Sequence, residues 1–206
     1  MAKMRLYYSP SSPYARKVRV LALETRLDKK IEMINVALTP VAPNADVDKH
    51  NPIGKIPALS VKGMDLFDSP VICEYLDHQH KGRKLLPRKG RDRWVALRLQ
   101  AMGDGLLDAA LLARYENFLR PEDRRWPDWT KGQMKKIDGV LDQLEAEAKS
   151  LKGKLNIGTI SVACALGYLD LRFGDMGWKD KHPKLAKWFA ATSRLPSIKA
   201  TVPPAG

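Results

Sequence analysis

Cysteine is scarce in this chain: its 206 residues hold two, Cys73 and Cys164. They lie far apart inside apolar helical patterns, which excludes a disulfide framework and fits two small buried core residues in a reducing compartment. Long apolar runs are absent as well, and none approaches the roughly 20 residues that span a bilayer. The opening Met-Ala-Lys-Met-Arg-Leu-Tyr-Tyr passes straight into strand-like sequence without an extended apolar region, so no cleaved signal peptide is expected. Together these absences point to a soluble, cytoplasmic protein with no membrane partner. No internal repeat or low-complexity tract is visible, and no metal is expected.

Acidic residues are in deficit, 23 against 36 Lys and Arg, for a net charge of +13. The imbalance is local. Residues 81–90 carry five bases and no acid, whereas the balance is 11 to 9 over 1–80 and 20 to 14 over 91–206. Outside the one basic block, bases alternate with acids as on ordinary solvated helix faces, which argues against a nucleic-acid partner.

What is present is best read from the start of the chain. Leu6 to Tyr8 reads as a short buried strand. The serines and prolines of Ser9-Pro-Ser-Ser-Pro13 read as a turn opening a helix from Pro13 to about Arg26, with Pro13 at its first position. The unpaired N–H groups and the dipole of that helix favour an anion beside Ser11, Ser12 and Pro13; the plainer reading of Ser12 is an N-cap. Residues 31–36 form a second strand, expected parallel to the first because a helix lies between them. Residues 37–50 read as loop with at most a short helix near 46–50. Residues 58–61 and 64–67 flank Lys62-Gly63 as a hairpin, and Asp68-Ser69-Pro70 opens another helix. That order, complete by His80, is thioredoxin-like. The basic stretch Lys81 to Gly90, with two glycines and a proline, reads as a linker. Everything beyond it is helical in pattern, with helices expected over 91–119, 128–151, 157–173 and 183–194 and a short turn from Pro196.

A thioredoxin-like half followed by a helical half, with Ser-Pro-Tyr-Ala-Arg-Lys-Val-Arg near the start, Asn51-Pro-Ile-Gly-Lys-Ile-Pro57, Asp68-Ser69 and the late segment 157–170 in that order, resembles the glutathione S-transferase superfamily. Leu106 to Leu112 and His182 to Trp188 further resemble bacterial members with a serine at the active turn, of theta-like or zeta-like type. The resemblance implies an α/β thioredoxin-like domain over 1–80 that binds glutathione, a linker over 81–90 and an all-α domain over 91–206 that binds the electrophile and mediates dimerisation. It implies conjugation of glutathione, as co-substrate, to small hydrophobic electrophiles, with reduction of organic peroxides as a related activity, in a homodimer.

Site residues follow from the same resemblance. Ile56-Pro57 is expected cis, with the Ile56 backbone pairing the cysteinyl part of glutathione. Asp68 and Ser69 hold the γ-glutamyl end, which agrees with the affinity of a helix N-terminus for a carboxylate. Lys55, and less directly His50, stand near the glycyl carboxylate. The reacting nucleophile is the glutathione thiolate, so a hydroxyl at the first helix is needed to stabilise it; a free thiol, with a pKa of about 8.5, is mostly protonated near neutrality. The order of candidates is Ser12, Ser11, Ser9. A hydroxyl forms no mixed disulfide, which disfavours thiol-transfer chemistry. Zeta-like maleyl-acid isomerases carry Ser-Ser-Cys where this chain has Pro13. The electrophile pocket draws on Tyr14, Asp104, Asp108, Arg114 and Tyr115, with Gly103 and Gly105 allowing close backbone approach. Late in the chain the family's usual capping Asp is replaced by Thr159 after Asn156, which predicts a cap weaker by about 1 kcal/mol. The rival readings are a non-catalytic glutathione- or ligand-binding protein and a protein-interaction module whose basic segment docks an acidic partner.

Overall fold

The computed structural model describes residues 4–204. Two compact units divide the chain: one runs to Arg93 and takes back the chain from Pro196, and the other is Trp94–Leu195. The first unit holds β1 (Met4–Tyr8), α1 (Pro13–Glu24), β2 (Ile31–Asn35), α2 (Ala45–Asp48), β3 (Ala58–Val61), β4 (Met64–Phe67) and α3 (Ser69–His78). The four strands form one sheet in the order β2-β1-β3-β4. β1 pairs with β2 in parallel and with β3 antiparallel, and β3 pairs with β4 antiparallel. This is the mixed sheet of a thioredoxin-like domain, and the parallel pair is the one expected from the intervening helix.

Alternation along β1 sorts its side chains between two layers. Leu6 stands opposite Leu59 and Tyr7 opposite Ala58. Leu6 and Leu59 are fully buried with Ala15, Val18 and Leu21 of α1 and Ile72 and Leu76 of α3, while Tyr7 and Ala58 pack with Val47 of α2. α1 is buried on both of its stripes, and even Arg16 and Lys17 are enclosed at 4% and 1% exposure.

The basic segment after α3 is not the free tether suggested by its composition. Leu85 and Leu86 are buried, and their N–H groups donate to the Asp77 carboxylate at 2.8 and 3.2 Å. The Lys84 ammonium donates to the carbonyls of Asp77 and His80 at the end of α3. The divide therefore falls at Arg93 rather than across 81–90, and the last residues join the first unit rather than the helical one. They do so through the helical turn that begins at Pro196, which packs on α1.

The remaining helices are α4 (Gly90–Phe118), α5 (Pro127–Ala146), α6 (Ile157–Arg172), α7 (Trp178–Lys181), α8 (Pro183–Thr192) and α9 (Pro196–Lys199). α6 is the core of its unit, with twelve of its sixteen residues buried. It approaches α4 where side chains are missing: a Cβ on Gly158 would lie 2.5 Å from the Ala96 carbonyl oxygen, and one on Gly103 2.8 Å from the Ser161 backbone. Gly105, paired with Gly103 in the sequence reading, has open space around it. The weakened cap expected at α6 is not found. Thr159 N–H donates to Asn156 Oδ1 at 3.1 Å and Asn156 N–H donates to the Thr159 hydroxyl at 3.0 Å, a complete capping box in which threonine supplies the acceptor an acid would.

Candidate functional site

The sheet register gathers the motif residues. Tyr7 stands opposite Ala58, and Ala58 opposite Phe67. The chain leaving β1 into Ser9, the chain entering β3 from Pro57 and the chain leaving β4 into Asp68 therefore share one end of the sheet. α1 and α3 both begin at that end, so two positive helix termini face the same place.

The turn before α1 is a compact hydrogen-bonded unit. Ser12 N–H donates to the Ser9 carbonyl at 3.1 Å, and Arg16 N–H donates to the Ser12 carbonyl at 2.9 Å. Ser12 is the N-cap, its hydroxyl oxygen accepting from Ala15 N–H at 3.2 Å. The cap uses a lone pair and leaves the hydroxyl proton available to donate. Ser9 and Ser11 pair with each other, oxygen to oxygen, at 3.1 Å, which uses one of their two protons. All three serines are half-buried. Behind them the chain end clamps α1: the Arg16 guanidinium donates to the Ile198 carbonyl at 3.1 Å and to the Thr201 hydroxyl at 3.4 Å.

The second segment is shaped by Asn51. Buried, it donates to the Lys55 carbonyl at 2.7 Å and accepts from Ile53 N–H at 3.0 Å, closing a turn that places Gly54 at φ 63°. The Ile56-Pro57 peptide is cis. Ile56 packs against the Tyr7, Val47 and Ala58 cluster, and the Lys55 side chain is exposed. His50 is tied into the scaffold: its Nε2 lies 2.8 Å from the Tyr7 hydroxyl, its Nδ1 lies 3.0 Å from Asp65 Oδ1, and its ring stacks on Tyr7 at 4.6 Å. Partial burial works against the Asp65 carboxylate, but hydrogen bonds from His50 and Ser60 outweigh it and hold its pKa below the usual range.

The third segment carries the sharpest feature. Asp68 caps α3 with φ 65° and ψ 127°, a left-handed backbone that side chains rarely adopt, and makes no side-chain cap hydrogen bond. Such strain persists only where the surroundings over-determine it, and it collects at ligand sites. Ser69 follows at 1% exposure, and its hydroxyl has no hydrogen-bond partner among the described residues. An unpaired buried hydroxyl costs about 1–3 kcal/mol. A hydroxyl beside the free N–H groups of a helix start is an arrangement that suits a carboxylate.

The electrophile-pocket candidates do not come together in one unit. Tyr14 belongs to the first; Asp104, Asp108, Arg114 and Tyr115 lie on α4 in the second. The Arg114 guanidinium stacks on the Phe118 ring at 4.5 Å. Burial raises the Tyr115 phenol pKa, with Arg114 opposing it. Two residues the sequence reading passed over join this pair. Tyr168 of α6 is 4% exposed, and burial pushes its phenol to about 12 against the pull of Arg114 and Arg172. Their signal in the sequence was the i, i+4 spacing of Tyr168 and Arg172 on an otherwise apolar helix. Beyond α4, Trp126 and Trp129 stack at 6.4 Å, and the Glu116 carboxylate accepts from Trp126 N–H and from Arg120 Nε, each at 2.8 Å. The Trp126 hydrogen bond is the larger of the effects holding the Glu116 pKa down.

Comparison with known proteins gives concordant results. The family model described as glutathione S-transferase, N-terminal domain, matches residues 11–79, and the one described as glutathione S-transferase, C-terminal domain, matches residues 127–191. The uncharacterized GST-like protein YibF of Escherichia coli K12 is 33% identical, covering 98% of this chain and 99% of that protein. The crystal structure of a glutathione transferase family member from Pseudomonas fluorescens Pf-5 with bound glutathione superimposes with a TM-score of 0.97 at 47% identity, over 98% of this chain and all of that one. A structure of a family member from the same strain with bound S-(propanoic acid)-glutathione superimposes with a TM-score of 0.92 at 46% identity, with the same coverage.

Proposed function

We propose that this chain, which belongs to the glutathione S-transferase family, is a working transferase that binds glutathione in its first unit and joins the sulfur to small hydrophobic electrophiles. The single observation that carries the reading is the Ser69 hydroxyl, buried and without a partner among the described residues at the start of α3. In this reading the γ-glutamyl carboxylate takes that hydroxyl and the neighbouring helix N–H groups, with Asp68 beside it. The Ile56 backbone pairs with the cysteinyl residue, and Lys55 faces the glycyl carboxylate. His50, engaged by Tyr7 and Asp65, supports the Lys55 loop rather than the ligand.

The chemistry then needs a donor to the sulfur. Ser12 is the best placed of the three serines, because its cap hydrogen bond uses its oxygen and leaves its proton. Donation to the sulfur, together with the α1 N-terminus, favours the thiolate; each unit of pKa depression corresponds to about 1.4 kcal/mol. The thiol proton leaves to solvent, and the sulfur attacks the electrophilic carbon as the bond to its leaving group breaks, chloride departing with the bonding pair in the case of a chlorodinitrobenzene. The glutathione and the glutathione thioether held by the Pseudomonas fluorescens relatives support both halves of this scheme. Exposed Ile53, Met64 and Val71, at 59%, 46% and 49%, support pairing with a second copy of the chain, and buried cysteines outside any disulfide suit the cytoplasm.

Calorimetric titration with glutathione and turnover of a chlorodinitrobenzene test the reading. Binding in the micromolar to millimolar range is expected, with conjugation lost in Ser12→Ala while binding remains. Loss confined to Ser11→Ala or Ser9→Ala would reassign the donor. Absence of binding at millimolar glutathione would refute the proposal, and binding without turnover of any electrophile would leave a glutathione-binding protein.

A further inference from the structure

We propose that Tyr7, His50 and Asp65 form a positioning triad that holds residues 51–57 in their glutathione-binding conformation, so that the triad sets the affinity for glutathione and not the rate of conjugation. The inference rests on the transferase reading above and names residues that act on that site without touching the ligand.

Register is the first observation. Tyr7 stands opposite Ala58 and Asp65 opposite Ser60. Alternation along β3 therefore puts Tyr7 and Asp65 on one face of the sheet, on the two strands that flank β3. The His50 ring bridges them. Its Nδ1 lies 3.0 Å from Asp65 Oδ1, its Nε2 lies 2.8 Å from the Tyr7 hydroxyl, and it stacks on the Tyr7 ring with centroids 4.6 Å apart. Against the effect of partial burial, hydrogen bonds from His50 and Ser60 hold the Asp65 carboxyl below the usual range, so at neutral pH it is ionised and only accepts. Nδ1–H is thus the donor to Asp65, and in the neutral ring Nε2 accepts from the Tyr7 O–H. An apolar side chain would cover Tyr7 as well; the imidazole adds two directional bonds, one to β1 and one to β4.

Continuity is the second. The N–H groups of His50 and Asn51 both donate to the Val47 carbonyl, at 2.9 and 2.8 Å. The Asn51 carbonyl accepts from Gly54 N–H at 2.9 Å, and its side chain donates to the Lys55 carbonyl at 2.7 Å. At the far end Ile56 packs with Tyr7, Val47 and Ala58. Tyr7 therefore meets the segment twice, through His50 at its start and Ile56 at its close. Between these anchors Pro52 and Lys55 are exposed. A segment that buries little opens locally at low free energy, so its anchors decide what fraction of the protein is competent to bind. The apparent Kd scales inversely with that fraction, and saturating ligand restores the competent state. A triad that served only to hold α2 on the sheet would lower stability and leave glutathione affinity alone.

The test combines glutathione titration, conjugation kinetics with a chlorodinitrobenzene, and amide hydrogen exchange, on the unaltered protein and on His50→Leu, Tyr7→Phe and His50→Gln. In His50→Leu, Kd and KM for glutathione are expected to rise about 3- to 10-fold as the competent fraction falls to between about a third and a tenth, with kcat at saturating glutathione and KM for the electrophile within about twofold. Exchange of the amides between Asn51 and Ile56 accelerates in the unliganded variant while those of α1 keep their protection. Tyr7→Phe, which removes one hydroxyl and keeps the ring, moves the same quantities in the same direction, and it carries the test if His50→Leu does not fold. His50→Gln, whose amide offers one donor and one acceptor, recovers affinity in part. Kd within about twofold of the unaltered protein in both His50→Leu and Tyr7→Phe, unchanged exchange across the segment, or a fall in kcat as large as the rise in KM overturns the triad while leaving the transferase standing. Failure of the unaltered protein to bind glutathione overturns both.

Discussion

Replacing Ser69 with alanine should move two measurements in opposite directions. Without glutathione, the substitution removes a buried hydroxyl that has no partner among the described residues and leaves the methylene in place. An unpaired buried hydroxyl costs about 1–3 kcal/mol. Taking the lower end, because residue 69 opens a helix and solvent relaxation nearby is cheap, Ser69→Ala gains about 1 kcal/mol, or roughly 2–4 °C in Tm for a chain of this size. With glutathione, the same change removes a hydrogen bond to a carboxylate, about 1.5–3 kcal/mol, and weakens Kd about 10- to 100-fold. Glutathione at 100 times its Kd adds about 2.7 kcal/mol to the unaltered protein, and the same concentration adds only about 0.4–1.4 kcal/mol to the variant. Thermal unfolding with and without saturating glutathione should therefore reverse the order of the two proteins: the variant melts higher alone and lower with ligand. Calorimetry supplies the Kd directly. A variant that melts lower in both conditions with unchanged Kd would refute the reasoning, because it would mean that the hydroxyl is structural and the carboxylate seat lies elsewhere.

Other substitutions test the scaffold. Gly158→Ala forces a methyl group to within 2.5 Å of the Ala96 carbonyl oxygen and 2.6 Å of the Leu99 side chain; overpacking of this kind costs about 1–3 kcal/mol, so Tm should fall by roughly 2–12 °C, and a fall under about 1 °C would show that α4 and α6 separate freely. Thr201→Val removes the acceptor for Arg16 Nε and the donor to the Ser197 and Ile198 carbonyls; a loss of about 1–2 kcal/mol is expected in urea unfolding, and none would mean that the chain end does not clamp α1. Tyr168 sets an alkaline limit. Its phenol is raised from 10.0 to about 12 in the folded state, so the unfolded chain releases this proton first, and its contribution is intact below pH 10 and lost progressively up to about pH 12. The full difference is about 3 kcal/mol. Stability of the unaltered protein relative to Tyr168→Phe should therefore decline across that window, and parallel profiles would refute the buried phenol.

Legibility of this chain follows the distance over which each partner must come. The strand-helix-strand and hairpin-helix order was readable because Pro13, Gly63 and Pro70 punctuate it locally, and the residues that meet at one end of the sheet were readable because Ser12, Ile56-Pro57 and Asp68-Ser69 each occupy a few consecutive positions beside a strand end. The capping box at α6 was misjudged for a local reason: the reading weighed the lost charge of an aspartate and overlooked that the Thr159 hydroxyl accepts the same N–H. The segment 81–90 was misjudged from composition, which counted its bases and glycines but not Leu85 and Leu86, whose N–H groups are taken by Asp77 eight and nine residues earlier.

Arg16 shows where local rules stop. In Ser-Pro-Tyr-Ala-Arg-Lys-Val-Arg it reads as one of three bases on a solvated face, yet it is 4% exposed, and its guanidinium is met by the Ile198 carbonyl, 182 positions away. No periodicity in α1 signals that partner, because the helix is covered on that side by the returning end of the chain. The same holds for Tyr168 and Arg172, which belong to one helix by spacing but acquire Arg114 and Tyr115 as neighbours only when α6 packs on α4. The carboxylate seat proposed at Ser69 is thus encoded in a few adjacent residues, whereas the groups that act on Tyr168 come from separate helices. Short motifs beside strand ends are therefore recognisable in the sequence, whereas a cluster drawn from two helices becomes visible only once α4 and α6 are packed.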